Sequence, residues 1–102
     1  MSHVSITFTV TEFCLHTGLT RPELIEIIDL GVLEPQGEAP DEWQFDDGTL
    51  ALCLRAQRLR RELELDWPGI AVTLTLLDEI ERLNSENRQL NQRLLRFTAR
   101  GQ

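Results

Sequence analysis

Hydrophobic and polar positions change period several times along the chain, and each change marks an element. Ser5 to Val10 (SITFTV) alternates polar and apolar residues and is rich in β-branched side chains, which predicts a short strand. Val10, Phe13 and Cys14 then fall at helical spacing. Thr9 and Glu12 have the spacing of a capping box and Gly18 supplies the stop, so a short first helix is expected. Thr20 and Glu23 repeat the capping box, Pro22 sits in the first turn where a missing N–H costs little, and Leu24, Ile27 and Ile28 form an inward face before Gly31. Only TGL separates the two helices, which is the helix-turn-helix pattern.

QGEAPDEWQF, rich in Gly, Pro and acid, predicts a loop or small β-hairpin wing ending on Trp43 and Phe45. Asp46 or Asp47 can cap a third helix whose apolar positions are Leu50, Leu52, Cys53, Leu54, Leu59 and Leu63. Its C-terminal half gathers Arg55, Arg58, Arg60 and Arg61, where cations suit the helix dipole. LELDWPGI marks a break, with Asp66 as N-cap and Pro68 early in a new helix. From there to about Thr98 nothing interrupts helical periodicity. Thr73, Ile80, Asn87 and Leu94 occupy one heptad core position, and Leu76, Leu83, Leu90 and Phe97 the other. At ~1.5 Å per residue, about 30 residues give a helix on the order of 45 Å long, more than a small head can cover. The expected architecture is mainly α: a winged helix-turn-helix head over residues 1–65, then a long coiled-coil-type helix over 66–102. Asn87 reads as a register-setting polar core residue or as a position facing solvent. The economical expectation is a homodimer through Ile80, Leu83, Leu90, Leu94 and Phe97, with Asn87 among them.

At 102 residues and 41% hydrophobic content, the chain is long enough for one modest core. Its formal charge of −7 opposes non-specific attraction to nucleic acid or anionic lipid. Residues 1–47 hold ten acids against the single Arg21, a charge of −9, whereas 48–102 hold seven acids and nine arginines, a charge of +2. There is no lysine. Cys14 and Cys53 lie in apolar surroundings and read as reduced core thiols. A cytoplasmic location is expected: no stretch approaches roughly 18 consecutive apolar residues, and MSHVSITFTV lacks the basic and long apolar segments of a signal peptide.

A helix that reads DNA needs Arg, Lys, Asn or Gln on its outer face. With Leu24, Ile27 and Ile28 inward, the second helix instead presents Pro22, Ile25, Glu26 and Asp29, and the loop 35–47 adds five acids and no base. Singly, such acids are a solvated face. Together, an apolar anchor flanked by carboxylates suits a basic protein partner. Asp66, Trp67 and Pro68 offer a competing binding site, although a cap with a buried indole is the favoured reading of them. Arg55, Arg58, Arg60 and Arg61 are read as balancing Glu62, Glu64 and the acidic head, with phosphate binding the lesser alternative. Catalysis is not expected: Cys14 and His16 point to different sides of a helix, His3 is terminal, and no metal spacing, phosphate loop or activated nucleophile is present. No cofactor is expected.

FTVTEF, HTG and LGVLEP follow the order and spacing of the opening of MerR-type regulators, and WQFDD resembles the end of their wing. The longer combination of TEFCLHTG, LGVLEP, WQFDD and LRRELELDWPGIAVTLTLLDEI is similar, end to end, to the CbpM family of bacterial chaperone modulators. That resemblance implies a regulator that binds the J-domain of the DnaJ-like co-chaperone CbpA. It would inhibit that co-chaperone by occupying the basic J-domain surface otherwise used by the Hsp70 DnaK. Ile25, Glu26 and Asp29 are the expected contact, with Glu23, Glu34 and Glu38 as weaker electrostatic candidates. The MerR resemblance implies the alternative, a DNA-binding transcriptional regulator.

Overall fold

Local signals at the helix ends set the element order. The computed structural model describes residues 6–100; His3 and Ser5 lie outside the described residues. Strand β1 (Thr7–Thr9) leads directly into helix α1 (Val10–Thr17). Thr9 accepts from the Glu12 amide at 3.2 Å while the Glu12 carboxylate accepts from the Thr9 amide at 2.9 Å, so Val10 begins the helix rather than ending the strand. Gly18 closes α1 with φ 78, and its amide donates to the Cys14 carbonyl. Helix α2 (Arg21–Asp29) opens on the same device at Thr20 and Glu23. It ends in a Schellman motif, with Gly31 at φ 80 donating to the Ile28 carbonyl and Val32 to that of Ile27.

The wing is smaller than a hairpin. Gln36 and Gln44 exchange two backbone hydrogen bonds of 2.9 Å, and a 3-10 turn (Pro40–Glu42) fills the loop between them. Strand β2 (Gln44–Asp46) then pairs antiparallel with β1, setting Phe8 opposite Phe45. Asp46 caps helix α3 (Asp47–Leu63) by accepting from the Thr49 amide at 2.7 Å. Glu64 takes the left-handed conformation (φ 54), which few residues other than glycine adopt cheaply, and so breaks the chain before helix α4 (Trp67–Arg100). Asp66 caps α4 by accepting from Gly69 at 2.9 Å.

The chain divides into two compact units between Ala71 and Val72. In the first, Phe13 and Phe45 are fully buried and stacked, with centroids 4.3 Å apart, and Leu24, Ile27, Cys53, Ala56 and Ile70 complete the centre. Gln57 ties α3 to the end of α1 by donating to the Thr17 carbonyl at 2.8 Å. Helix α3 is less apolar in its packing than its leucines predict: Leu52, Leu54 and Leu63 are exposed, and Cys53 and Ala56 are the buried residues. The two buried residues are small side chains one turn apart, on a helix that packs against α1 and β2.

In the second unit, none of residues 75–99 is buried. Arg82 pairs with both Glu79 and Glu86 along one side of α4. Ile80, Leu83, Leu90, Leu94 and Phe97 are each about half exposed or more. Among the described residues, no helix is long and apolar enough to cross a membrane.

Candidate functional site

Helix α2 has two unlike faces. Leu24 and Ile27 are buried and Ile28 half-buried, which fixes the helix against the head. Ile25, Glu26 and Asp29 are exposed, Ile25 to 44%. Ile25 and Asp29 stand one turn apart on the same side. The apolar contact and the carboxylate are therefore presented together by a helix whose buried face holds it in place.

Beside Ile25 the surface sinks into a groove of about 220 Å³ lined by Val10, Arg21, Leu24, Ile25, Pro40, Asp41 and Trp43. Its base is the start of α1 and the near side of α2; its far wall is the 3-10 turn of the wing. Arg21 is turned onto α1, where its Nη2 donates to Thr11 Oγ1 at 3.1 Å. The remaining charged wall is Asp41. Gly37 makes this wall possible, because a Cβ at that position would lie 2.8 Å from the Glu42 carbonyl oxygen.

The other sequence candidates are spread out. Glu23 is half-buried and engaged as the capping partner of Thr20, accepting from its amide and its hydroxyl at 3.2 and 3.0 Å. Glu34 lines a separate depression with Pro35, Gln36, Asp46 and Leu52. Glu38 is exposed in the wing loop ahead of the 3-10 turn. The structure thus brings Ile25 together with Pro40, Asp41 and Trp43, three residues outside the sequence-derived set. Their proximity to α2 depends on how the wing folds back, and no local pattern announces it.

The competing DWP segment is occupied structurally. Asp66 serves as the α4 cap, and Trp67 is 4% exposed. Arg60 places its guanidinium carbon 5.3 Å from the centre of the Trp67 ring, a cation–π contact, instead of pairing with Glu62 or Glu64. Among the described residues the ion pairs are those of Arg82, and none joins an arginine of α3 to a carboxylate.

The titratable groups define caps and core. Hydrogen bonds from Thr9 hold the Glu12 carboxyl below its usual range, and those from Thr49 do the same for Asp46. Burial pushes the Cys53 thiol up to about 12 and raises that of Cys14, the latter opposed by the charge of Arg21. Both cysteines are free thiols, and both are held protonated at neutral pH. No group of three or more His, Cys, Asp or Glu among the described residues is placed to hold a metal ion.

Residues 8–92 match the family described as MerR HTH family regulatory protein. The chain is also 60% identical over 97 residues to the chaperone modulatory protein CbpM of Salmonella paratyphi A, covering 95% of this chain and 96% of that protein. The CbpM proteins of Salmonella newport and Salmonella agona match to the same extent. A MerR-type helix-turn-helix frame with an acidic outer face, matched end to end at this identity, places the chain in the CbpM family of chaperone modulatory proteins.

Proposed function

We propose that the protein binds the J-domain of a DnaJ-like co-chaperone, CbpA, and inhibits it by competing with the Hsp70 DnaK for the basic J-domain surface. One observation carries this reading: the outer face of α2, where a DNA reader keeps its bases, presents the exposed Ile25 beside the carboxylates of Asp29 and Glu26. An acidic patch with a desolvatable centre attracts and orients a basic protein helix, whereas it repels a phosphate backbone. Inhibition then requires no bond chemistry, only mass action and steric exclusion.

The half-exposed row Ile80, Leu83, Leu90, Leu94 and Phe97, with Asn87 at a core heptad position, supports self-association through α4. The protein acts in this reading as a homodimer.

The test is a salt titration of binding to a purified J-domain and, in parallel, to promoter DNA. The J-domain is expected to bind and the Glu26→Lys, Asp29→Lys variant to lose that binding. Binding to DNA with a steep salt dependence, and none to the J-domain, establishes the MerR-type regulator instead.

A further inference from the structure

We infer that the groove between α2 and the wing is the anchor point of the partner interface, receiving one apolar side chain of the basic partner helix between Ile25 and Trp43. The inference rests on the proposed function and extends it to residues with no part in the acidic face: Pro40, Asp41 and Trp43.

Two observations and one general rule lead there. The groove is concave and bounded mainly by apolar side chains, Val10, Leu24, Ile25, Pro40 and Trp43, in a half of the chain otherwise dominated by exposed acids. Trp43 and Ile25 are both only partly buried, so each retains apolar surface that a partner can cover. Binding energy at protein interfaces concentrates where an aromatic and an aliphatic group enclose a side chain and exclude water.

The charges around the groove select the occupant. Asp29 lies on α2 one turn from Ile25, with Glu26 farther round the helix; Asp41 forms part of the groove wall, Glu42 ends the 3-10 turn and Glu38 precedes it. Arg21, the one base of this half of the chain, is drawn onto Thr11. An apolar side chain delivered by a Lys- or Arg-rich helix satisfies both features: the side chain fills the groove while neighbouring cations meet carboxylates on two sides. An acidic or neutral helix satisfies only the first.

The two parts of such an interface respond differently to ionic strength. The carboxylates act through screened attraction and weaken as salt rises, whereas the groove acts by excluding water and holds.

The test is calorimetric titration of the purified J-domain into the full-length protein at low and high salt. Trp43→Ala is expected to weaken binding by roughly tenfold or more, by the same factor at both salt concentrations. Glu26→Lys, Asp29→Lys is expected to weaken it strongly at low salt and less at high salt. Ile25→Ser, at a position already half exposed, repeats the first measurement should Trp43→Ala lose the fold by circular dichroism. If the acid variant weakens binding while folded Trp43→Ala or Ile25→Ser stays within about twofold of wild type, the groove is not the anchor and the proposed function stands alone. If wild type fails to bind the J-domain, the proposed function falls and this inference falls with it.

Discussion

The two compact units treat apolar residues in opposite ways. In the head, Phe13, Phe45, Leu24, Ile27 and Ile70 are withdrawn from water, and caps finish the ends of each short helix. Along α4 beyond Leu74, leucines recur at heptad spacing and remain exposed, Leu90 to 60% and Phe97 to 76%. The head satisfies its hydrophobic pattern within one chain. The pattern of α4 is left open to solvent, and in the proposed self-association a second copy covers it with one of the same period.

That contrast can be broken first at the core. Phe45→Ala removes one ring of a fully buried stacked pair and leaves a cavity with little freedom to collapse; a loss of about 3–5 kcal/mol is expected, measured by denaturant unfolding. For a domain of this size such a loss approaches the whole stability. In α4 the equivalent damage is expected to fall on the proposed self-association. Leu83→Glu, Leu90→Glu is expected to weaken dimerisation by more than about a hundredfold in sedimentation, on the order of 3 kcal/mol. The near-ultraviolet signature of Trp43 and Trp67 should be unchanged, because both residues belong to the head.

Smaller changes sharpen the comparison at the helix ends. Thr20→Ala removes the hydroxyl that accepts from the Glu23 amide and donates to the Glu23 carboxylate, and is expected to cost about 1 kcal/mol of head stability. The Asp46 cap gives the smallest and most specific effect. Its carboxyl pKa is depressed in the folded head, so its contribution is fully present above the unfolded value, near pH 4, and is lost as pH falls through the folded value. Asp46→Ala should therefore melt below wild type at pH 7, and the gap between the two melting temperatures should close as pH is taken below about 4.

Much of the head was legible because its signals are local. Each capping box lies within four residues, Gly18 and Gly31 stop helices by their own backbone preference, and the cap-and-indole reading of Asp66 and Trp67 follows from adjacent positions. What was not legible depends on the tertiary arrangement. Val10 alternates as a strand residue should, but the capping box at Thr9 prevails and turns it into the first residue of α1. Six apolar positions in α3 do not reveal that Ala56, absent from any such list, is fully buried while Leu54 and Leu63 are exposed. Arg60 meets the Trp67 ring seven residues along the chain and across a helix break.

The candidate site divides along the same line. The outward direction of Ile25, Glu26 and Asp29 follows from helical period once Leu24 and Ile27 are set inward. Glu23 shares that stretch, but its carboxylate is engaged by its own cap. The groove escapes sequence reading because it needs Trp43 and Pro40 to return over α2, which depends on the Gln36–Gln44 bridge and on the absence of a side chain at Gly37.

The central claim is that the head occupies a basic co-chaperone surface in place of Hsp70. It is tested most directly by the ATPase activity of Hsp70, stimulated by the J-domain co-chaperone, as this protein is titrated in. Stimulation should fall to the unstimulated rate, with a midpoint that moves to higher concentration as Hsp70 is raised, and the Glu26→Lys, Asp29→Lys variant should have no effect. A stimulated rate that persists at saturating protein, or a midpoint indifferent to the Hsp70 concentration, would contradict it.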